Sequence, residues 1–242
     1  MSAKQEKEQV YARYVASGKT LDHLASWGKT LAEVMNPEGK PEVLDGLLVL
    51  DASLGNFSGI IAASFLAEFG AEVVKIEPPE GDPMRKVTPY GAHLQGVGIP
   101  FLVEARNKRY MTLDLRKSEE DRRTFARLAE KAAVVIETFA AGEMDSWSIG
   151  YRQLREKNPG LVYIAVTPYG QYTEKAKQFA NLPDSDLTSQ AGSGLPAQVG
   201  DPAGSPEPYN WPLRAGMWAA WYISGLSAAL GGAVALVRRQ LA

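Results

Sequence analysis

Residues 44–77 have the sequence LDGLLVLDASLGNFSGIIAASFLAEFGAEVVKIE, which has the pattern of one β-α-β unit. The apolar run at 47–50 is typical of a strand that is buried on both faces. A turn containing Gly55 and Gly59 follows, and residues 60–69 are predicted to form a helix that ends at Gly70. Residues 73–76, VVKI, then have the composition of a second buried strand.

The same pattern continues along the chain. Strand-like runs at 110–114, 133–136 and 161–166 alternate with helical segments at 118–131 and 151–156. This alternation predicts an α/β fold, a Rossmann-like parallel sheet with helices on both faces. Ligands of such sheets bind at the carboxyl ends of the strands. The predicted division is an N-terminal helical extension over 1–43 and a nucleotide-binding domain over 44–242.

Composition and charge argue against several classes of function. The formal net charge of −2 lacks the basic excess that nucleic-acid binding needs. There is no cysteine, and the two histidines, His23 and His93, lie far apart, so no metal site is predicted. The charged N-terminus has no apolar signal core, so we expect a cytoplasmic protein.

A long uncharged segment near the C-terminus has two interpretations. Residues 215–237 contain no charged side chain. A segment of this length could span a bilayer. Alanine, glycine and serine dominate the segment, and these residues insert weakly into membranes. We therefore predict no membrane span and a helix buried on all sides of an α/β protein. A membrane anchor is the alternative.

The first turn poses a question of phosphate binding. The segment GNFSG at 55–59 departs from the G-x-G-x-x-G motif of NAD-dependent dehydrogenases, because it lacks the middle glycine. Without that motif, the segment still resembles a nucleotide-binding site, because several cations lie near the predicted strand ends. These cations suit the phosphates of coenzyme A. The cations are Lys75, Arg85, Lys86, Lys108, Arg109 and Arg116.

Six segments, in order, resemble motifs of the class III (CaiB/BaiF) coenzyme A (CoA) transferase family. They are LDGLLVLD at 44–51, GAEVVKIEPPEGDPMR at 70–85, NKRYMTLDLR at 107–116, VVIETF at 134–139, NPGLVY at 158–163 and YGQ at 169–171. In that family an aspartate attacks an acyl-CoA thioester and forms an acyl-aspartyl anhydride, which is covalent catalysis by a carboxylate. The resemblance implies CoA or acyl-CoA as substrate and no permanently bound cofactor.

The resemblance also implies which residues contact CoA. They are Asn56, Phe57, Lys75, Leu113, Arg116, Thr138 and Phe139. Arg116 replaces a lysine, which keeps the charge and changes its geometry. Pro78 stands where some family members place an arginine and Ala140 where many have one, so this chain lacks those two arginines.

The nucleophile is the main departure from the family. Gly216 and Gly225 hold the frame of the family's nucleophile segment, and Trp221 occupies the position of the aspartate. We infer that the chain lacks the catalytic nucleophile and that the family's small domain is absent. A full-length catalytic subunit would then complete a heteromeric enzyme, as in the two-subunit benzylsuccinate CoA-transferases. The competing interpretation is a scaffold protein that binds no CoA.

Two further features near this segment have more than one interpretation. Asp186 aligns with the aspartate of the related acyl-CoA racemases, but Ser185 stands where their histidine would be, so racemisation lacks a partner. Asp186 is therefore either a pocket residue or a helix N-cap. The nearby aromatic residues suggest an interface; core packing and a pocket for an aromatic acyl group are the alternatives. They are Trp211, Trp218, Trp221 and Tyr222.

Overall fold

The structure is a computed structural model that describes residues 42–179, 182, 185–199 and 211–241. The predicted helical extension lies outside the described residues, except for its last two positions, 42 and 43. Residues 200–210 also lie outside them.

The described chain contains a parallel sheet with helices on both faces, which confirms the predicted α/β class. The strands are β1 Leu48–Ala52, β2 Glu72–Glu77, β3 His93–Leu94, β4 Val97–Gly98, β5 Arg109–Thr112, β6 Val134–Glu137 and β7 Val162–Ala165. Five of them form the parallel sheet in the order β5-β2-β1-β6-β7, and β3 pairs with β4 in a separate antiparallel hairpin.

Helices connect these strands. They are α1 Phe57–Glu68, α2 Ile99–Glu104, α3 Glu119–Ala129, α4 Glu143–Ser146, α5 Tyr151–Lys157, α6 Glu174–Phe179, α7 Asp186–Ser193, α8 Leu195–Val199 and α9 Ala219–Gln240. Two short 3₁₀ helices, Pro83–Lys86 and Pro89–Gly91, lie between β2 and β3.

Alternate residues of each central strand enter two different cores. Leu50 and Val135 pack with Phe125 of α3 on one face of the sheet. Val49 and Val134 pack with residues of α1 and α9 on the other face. This two-sided burial is the reason that the central strands are continuous apolar runs without a polar alternation.

Helix α1 begins earlier than the sequence pattern indicates. The side-chain oxygen of Asn56 accepts a hydrogen bond from the Ser58 backbone N–H at 3.1 Å, so Asn56 is the N-cap and Gly59 lies inside the helix. A Cβ atom on Gly59 would lie 2.3 Å from the Ser53 Cβ atom. The glycine therefore serves the close approach of α1 to the end of β1.

Helix α9 covers α1 and β7 with one face, so the prediction of a helix buried on all sides is wrong. Trp221, Gly225, Ala229, Gly232 and Leu236 are buried against the domain, whereas most apolar residues on the other face are exposed. Within the described residues, α9 is the one helix whose length and composition would allow it to cross a membrane.

Candidate functional site

Two adjoining cavities lie where the parallel strands end. The larger has a volume of about 300 Å³ and the smaller about 190 Å³, and Arg116 and Phe139 line both. We call the pair the edge groove. The larger cavity is also lined by Ala52, Leu54, Ile76, Pro78, Glu80, Gly81, Pro83, Leu113, Asp114, Leu115 and Lys117. The smaller is also lined by Thr138, Ala140, Ala141, Glu143, Thr167, Pro168, Tyr169, Gly170, Ala176, Phe179 and Leu182.

Four of the seven predicted CoA contacts meet in this groove: Leu113, Arg116, Thr138 and Phe139. Sequence reasoning missed other wall residues, among them Leu54 and Thr167. Both follow directly after parallel strands, so the strand pattern alone was a signal for them.

Arg116 gives the groove an accessible positive charge. Its Nε atom donates a hydrogen bond to the Glu143 Oε1 atom at 3.1 Å, and its guanidinium carbon lies 5.3 Å from the centroid of the Phe139 ring. The Arg116 side chain is 54% exposed. The carboxylate and the ring hold the guanidinium at the groove, and more than half of the side chain stays exposed, so an anion can reach it.

Thr138 fixes the wall between the two cavities. Its Oγ1 atom accepts a hydrogen bond from the Leu54 N–H at 2.9 Å and donates one to the Leu54 carbonyl at 3.1 Å. The turn after β1 is therefore pinned to the end of β6, and Leu54 is held against the groove.

A buried ionic network lies behind this turn. Lys75 Nζ is 3.1 Å from Asp82 Oδ2 and 3.9 Å from Asp51 Oδ1, and Lys108 Nζ is 2.8 Å from Asp51 Oδ2. The four side chains are fully buried. Two lysines and two aspartates balance in charge, which is the condition for burying them at tolerable cost.

The network connects three separate segments of the chain. Lys75 donates a hydrogen bond to the Ser53 carbonyl, and Lys108 donates one to the Ile60 carbonyl at 2.7 Å. Asp82 Oδ1 accepts the Gly55 N–H at 3.2 Å. The turn after β1, the start of α1 and the loop after β2 are therefore held together from behind the groove.

Burial and pairing shift the pKa values of these groups in different directions. Burial lowers the pKa of Lys108 to about 8, although Asp51 opposes the shift. Burial alone would raise the pKa of Asp51, but Lys108 and Lys75 outweigh it and hold that pKa below its usual range. For Lys75, desolvation is outweighed by Asp51 and Asp82, so its pKa is raised.

The remaining three predicted contacts lie away from the groove walls. Lys75 has no exposed side-chain surface and belongs to the network. Phe57 is fully buried, with its ring centroid 4.8 Å from that of Trp218. Asn56 caps α1. These residues support the turn from behind, so in this conformation they present little surface to a ligand.

The start of α9 is held by two buried side chains of α7. Asp186 Oδ1 accepts the Trp221 backbone N–H at 3.0 Å, and Asp186 Oδ2 accepts Gln190 Nε2 at 2.6 Å. Gln190 Oε1 accepts the Ala215 N–H at 2.9 Å. Ser185, not Asp186, is the N-cap of α7, so Asp186 caps a different helix from the one predicted.

We expect Asp186→Ala to destabilise the chain by about 1–2 kcal/mol, because it leaves the Trp221 N–H buried without an acceptor. Urea unfolding followed by circular dichroism measures the loss. Glu174→Ala, which alters an exposed ion pair with Lys177, is the control and should change little. An equal effect of both variants would contradict the capping role.

Trp221, which the sequence comparison predicted to stand at the family's nucleophile position, is a core residue of this chain. It is 9% exposed, and its ring centroid lies 6.0 Å from that of Phe57 in an edge arrangement. Trp218 and Tyr222 pack against the same cluster. The interface interpretation is therefore wrong for Trp221 within the described chain, whereas Trp211 is exposed.

A buried carboxyl lies beside the groove at the end of β6. Glu137 Oε2 accepts the Phe139 N–H at 2.6 Å, and Glu137 Oε1 accepts Gln171 Nε2 at 3.0 Å. Burial raises the pKa of Glu137 from 4.5 to about 8, and Glu143 and Asp145 add to the shift.

The free energy of unfolding should therefore fall as the pH rises from about 4.5 to about 8. Between about pH 4.5 and pH 8 the folded chain keeps the Glu137 proton that the unfolded chain has lost, so unfolding becomes progressively easier. Urea unfolding at several pH values tests this, with Glu137→Gln as the variant that should show a flatter profile. Identical profiles for the two proteins would contradict the assignment.

Comparisons with known proteins show which family this chain matches. The model of CoA-transferase family III matches residues 44–241. The alpha and beta subunits of succinyl-CoA–L-malate CoA-transferase from Chloroflexus aurantiacus are 37% and 34% identical. They align over 81% of this chain and over 44% and 46% of their own lengths.

Two further proteins are also similar to most of this chain and align over half of their own length or less. Subunit BbsE of succinyl-CoA:(R)-benzylsuccinate CoA-transferase from Thauera aromatica is 33% identical over 75% of this chain and 42% of its own length. The crystal structure of a CAIB/BAIF family protein from Brucella suis superposes with a TM-score of 0.71 at 30% identity. It covers 83% of this chain and 50% of that one.

The chain therefore spans about half the length of the curated relatives that it matches. The family model covers most of the chain, and the CAIB/BAIF structure superposes on most of it. The chain belongs to CoA-transferase family III.

Proposed function

We propose that this chain is a CoA-binding subunit of a heteromeric class III CoA-transferase and that a partner subunit supplies the nucleophile. The observation that carries the proposal is the pairing of an accessible arginine with an apolar groove at the carboxyl edge of a family III sheet. The proposed division of the chain stays at 43/44, with the α/β domain as the CoA-binding part.

The groove suits the chemistry of the nucleotide end of CoA. Leu54, Ile76 and Leu113 provide an apolar wall for a flat base, and Arg116 stands at one end for a phosphate. Lys117 is a second exposed cation on the same wall, 3.3 Å from Glu80 and 3.7 Å from Asp114.

A bound phosphate would have to compete with carboxylates that already contact these cations. Glu143 lies beside Arg116, and Glu80 lies beside Lys117. Both pairs are partly exposed, and such pairs contribute about 0–1 kcal/mol, so a phosphate with two negative charges can replace them.

Within the proposal, the seven predicted residues have two roles. Leu113, Arg116, Thr138 and Phe139 contact CoA directly. Asn56, Phe57 and Lys75 keep the turn after β1 in place, since their side chains point into the core and the ionic network.

We infer the absence of a nucleophile from the chemistry at position 221. An indole cannot form an acyl anhydride, and residues 209–242 contain no aspartate or glutamate. Asp186 and Glu104 both contact this segment, Glu104 by accepting a hydrogen bond from the Tyr222 hydroxyl. Asp186 is 6% exposed, and both of its oxygens accept hydrogen bonds. We therefore assign Asp186 to positioning the start of α9.

The relatives indicate which substrates the complete enzyme would use. The names of the malate and benzylsuccinate enzymes give succinyl-CoA as the donor. By this similarity, we propose succinyl-CoA as donor and a dicarboxylic acid, such as a substituted succinate, as acceptor.

Titration calorimetry with CoA tests the binding role. We expect the chain to bind CoA and Arg116→Ala to bind it about tenfold more weakly, which corresponds to about 1.4 kcal/mol for a charge-assisted contact. Arg123→Ala, on the exposed face of α3, is the matched control and should bind like the unaltered chain. If the unaltered chain binds no CoA, the scaffold interpretation is correct.

A further inference from the structure

A cavity separate from the edge groove lies beside the ends of β6 and β7. Its volume is about 220 Å³, and its described lining shares no residue with the edge groove. That volume is many times the ~10–15 Å³ that one water molecule needs. The lining includes two carboxyl groups, three tyrosine rings and one amide: Glu137, Asp145, Tyr151, Tyr163, Tyr172 and Gln171. We call it the tyrosine cavity.

One carboxylate oxygen of the cavity lining is buried without a hydrogen-bond partner. It is the Oδ1 atom of Asp145. A Cβ atom on Gly150 would lie 2.1 Å from this oxygen, so the Asp145 carboxylate occupies the space that a side chain at position 150 would need. The φ of Gly150 is −79°, which any residue adopts, so the glycine makes room for the carboxylate. A buried acceptor without a donor is unfavourable, and this one needs a donor that the described chain does not supply.

The ionisable groups around Asp145 indicate that the cavity lacks positive charge. Burial, together with Glu143 and Asp145, raises the pKa of Glu137 to about 8. Burial also raises the pKa of the Tyr163 hydroxyl, and Glu137 and Asp145 add to that shift. Among the described residues that line the cavity, none is basic. A cation in the cavity would therefore be attracted by every acidic group around it.

Tyrosine rings form much of the remaining wall. The ring centroids of Tyr151 and Tyr163 are 5.8 Å apart, and Tyr172 lines the same cavity. The face of an aromatic ring attracts a cation. The guanidinium carbons of Arg155 and Arg152 already lie 5.9 Å from the ring centroids of Tyr151 and Tyr172. Since neither arginine lines the cavity, the space inside it is left for another cation.

An ammonium group combines the properties that this lining requires. Its N–H groups can donate to Asp145 Oδ1, its charge offsets the carboxyl groups, and its alkyl part can pack on the rings. A metal ion such as Mg²⁺ or Ca²⁺ fits less well, since it takes six or more oxygen ligands. The described residues contain no group of three acidic or histidine side chains that could hold one. Water would supply donors but no charge.

We propose that the tyrosine cavity binds a small organic cation through a primary ammonium group, with Asp145 as acceptor and the tyrosine rings as walls. The groups involved lie within residues 137–172, and Glu137 is only 1% exposed, so the site does not depend on an exposed face of the chain. It shares no described lining residue with the edge groove, so the proposal is independent of CoA binding.

Affinity for the cation should increase as the pH rises to about 8 and then level off. Below that pH Glu137 holds a proton, and a bound cation favours the ionised carboxylate, so binding releases the proton. The other titratable groups around the cavity are acids and phenols: Glu143, Asp145, Tyr151, Tyr163 and Tyr172.

Calorimetric titration of the full chain with n-propylammonium chloride tests the proposal. The control ligand is n-propanol, which has nearly the same shape and no charge. We expect saturable binding of propylammonium and binding of propanol that is about tenfold weaker or more. Titration at neutral pH in two buffers of different ionisation enthalpy should show that a proton is released. No saturable binding of propylammonium, or equal binding of the two ligands, would overturn the proposal and assign the cavity to water.

Substitutions locate the site on the chain. Asp145→Asn keeps the size of the side chain and should weaken propylammonium binding about tenfold, and Gly150→Ala should also weaken it by displacing the carboxylate. Glu137→Gln should remove the pH dependence. Glu119→Gln, in an exposed pair with Arg123, is the matched control and should bind like the unaltered chain.

Circular dichroism shows whether each variant is folded. Equal binding by folded Asp145→Asn and Glu119→Gln would contradict the assignment. If Asp145→Asn does not fold, the comparison of propylammonium with propanol on the unaltered chain still decides the proposal.

Discussion

Replacing Asp51 by alanine is expected to destabilise the chain by about 3–5 kcal/mol, the cost of leaving buried charge without its partner. Asp51 is the carboxylate that contacts both Lys75 and Lys108. Without it, Asp82 alone would balance two buried ammonium groups. A loss of this size is a large part of the stability of a typical domain.

Most of the lost stability should come from Lys108, because its buried ammonium group would lose its contact with Asp51. Burial already lowers the pKa of Lys108 to about 8. The double variant Asp51→Ala/Lys108→Met should therefore recover part of the lost stability, since it removes the unpaired charge. Urea unfolding at pH 7 measures the free energy of unfolding of the unaltered chain, of Asp51→Ala and of the double variant. Glu119→Ala, in an exposed pair with Arg123, is the control and should stay within about 0.5 kcal/mol.

A loss for Asp51→Ala no larger than that of the exposed control would contradict the network. So would a double variant that is less stable than the single one.

Two glycines of α9 should respond to alanine with opposite signs. At Gly225 a Cβ atom would meet the Ser58 carbonyl oxygen at 2.7 Å and Ile61 Cβ at 3.0 Å, so Gly225→Ala should push α9 away from α1. We expect a loss of about 2–3 kcal/mol from this overpacking. At Gly231 nothing lies within 4 Å, so Gly231→Ala should gain roughly 0.5–1 kcal/mol of helix propensity.

Thermal and urea unfolding of the two variants give a direct comparison, because both change glycine to alanine in the same helix. If Gly225→Ala is as stable as Gly231→Ala, then α9 does not pack on α1 as described.

The sheet could be predicted from the sequence because its strands are short apolar runs between turn residues. The runs at 47–50, 73–76 and 133–136 correspond to β1, β2 and β6 within two residues. Strands buried on both faces are rich in apolar residues on both faces, and this makes them visible without knowledge of their partners.

The exposed face of α9 could not be predicted, because alanine, glycine and serine are compatible with burial, exposure and membranes alike. Which face is buried depends on α1 and β7, which lie far away in the sequence. The glycines at 225 and 232 mark the packed face only once the distances to Ser58 and Ile164 are known.

The candidate site also contains residues whose place could be predicted from the sequence and residues whose place could not. Leu113, Arg116, Thr138 and Phe139 follow strands β5 and β6, so the rule that ligands bind at strand ends places them correctly at the groove. Lys75 lies inside a strand, and its side chain points into a network with Asp51 and Asp82 that sequence distance conceals. The contact of Asp186 with Trp221 spans 35 residues and has no local signature.

The most direct test of the central claim is the fate of an acyl group offered to the isolated chain. Purified chain is incubated with succinyl-CoA labelled in the succinyl group, denatured, and analysed by intact mass and retained label. We predict reversible CoA binding, no acyl group on the polypeptide and no transfer to a free acid until a family III partner is added. A labelled acyl adduct formed by the chain alone, and released by hydroxylamine, would contradict it.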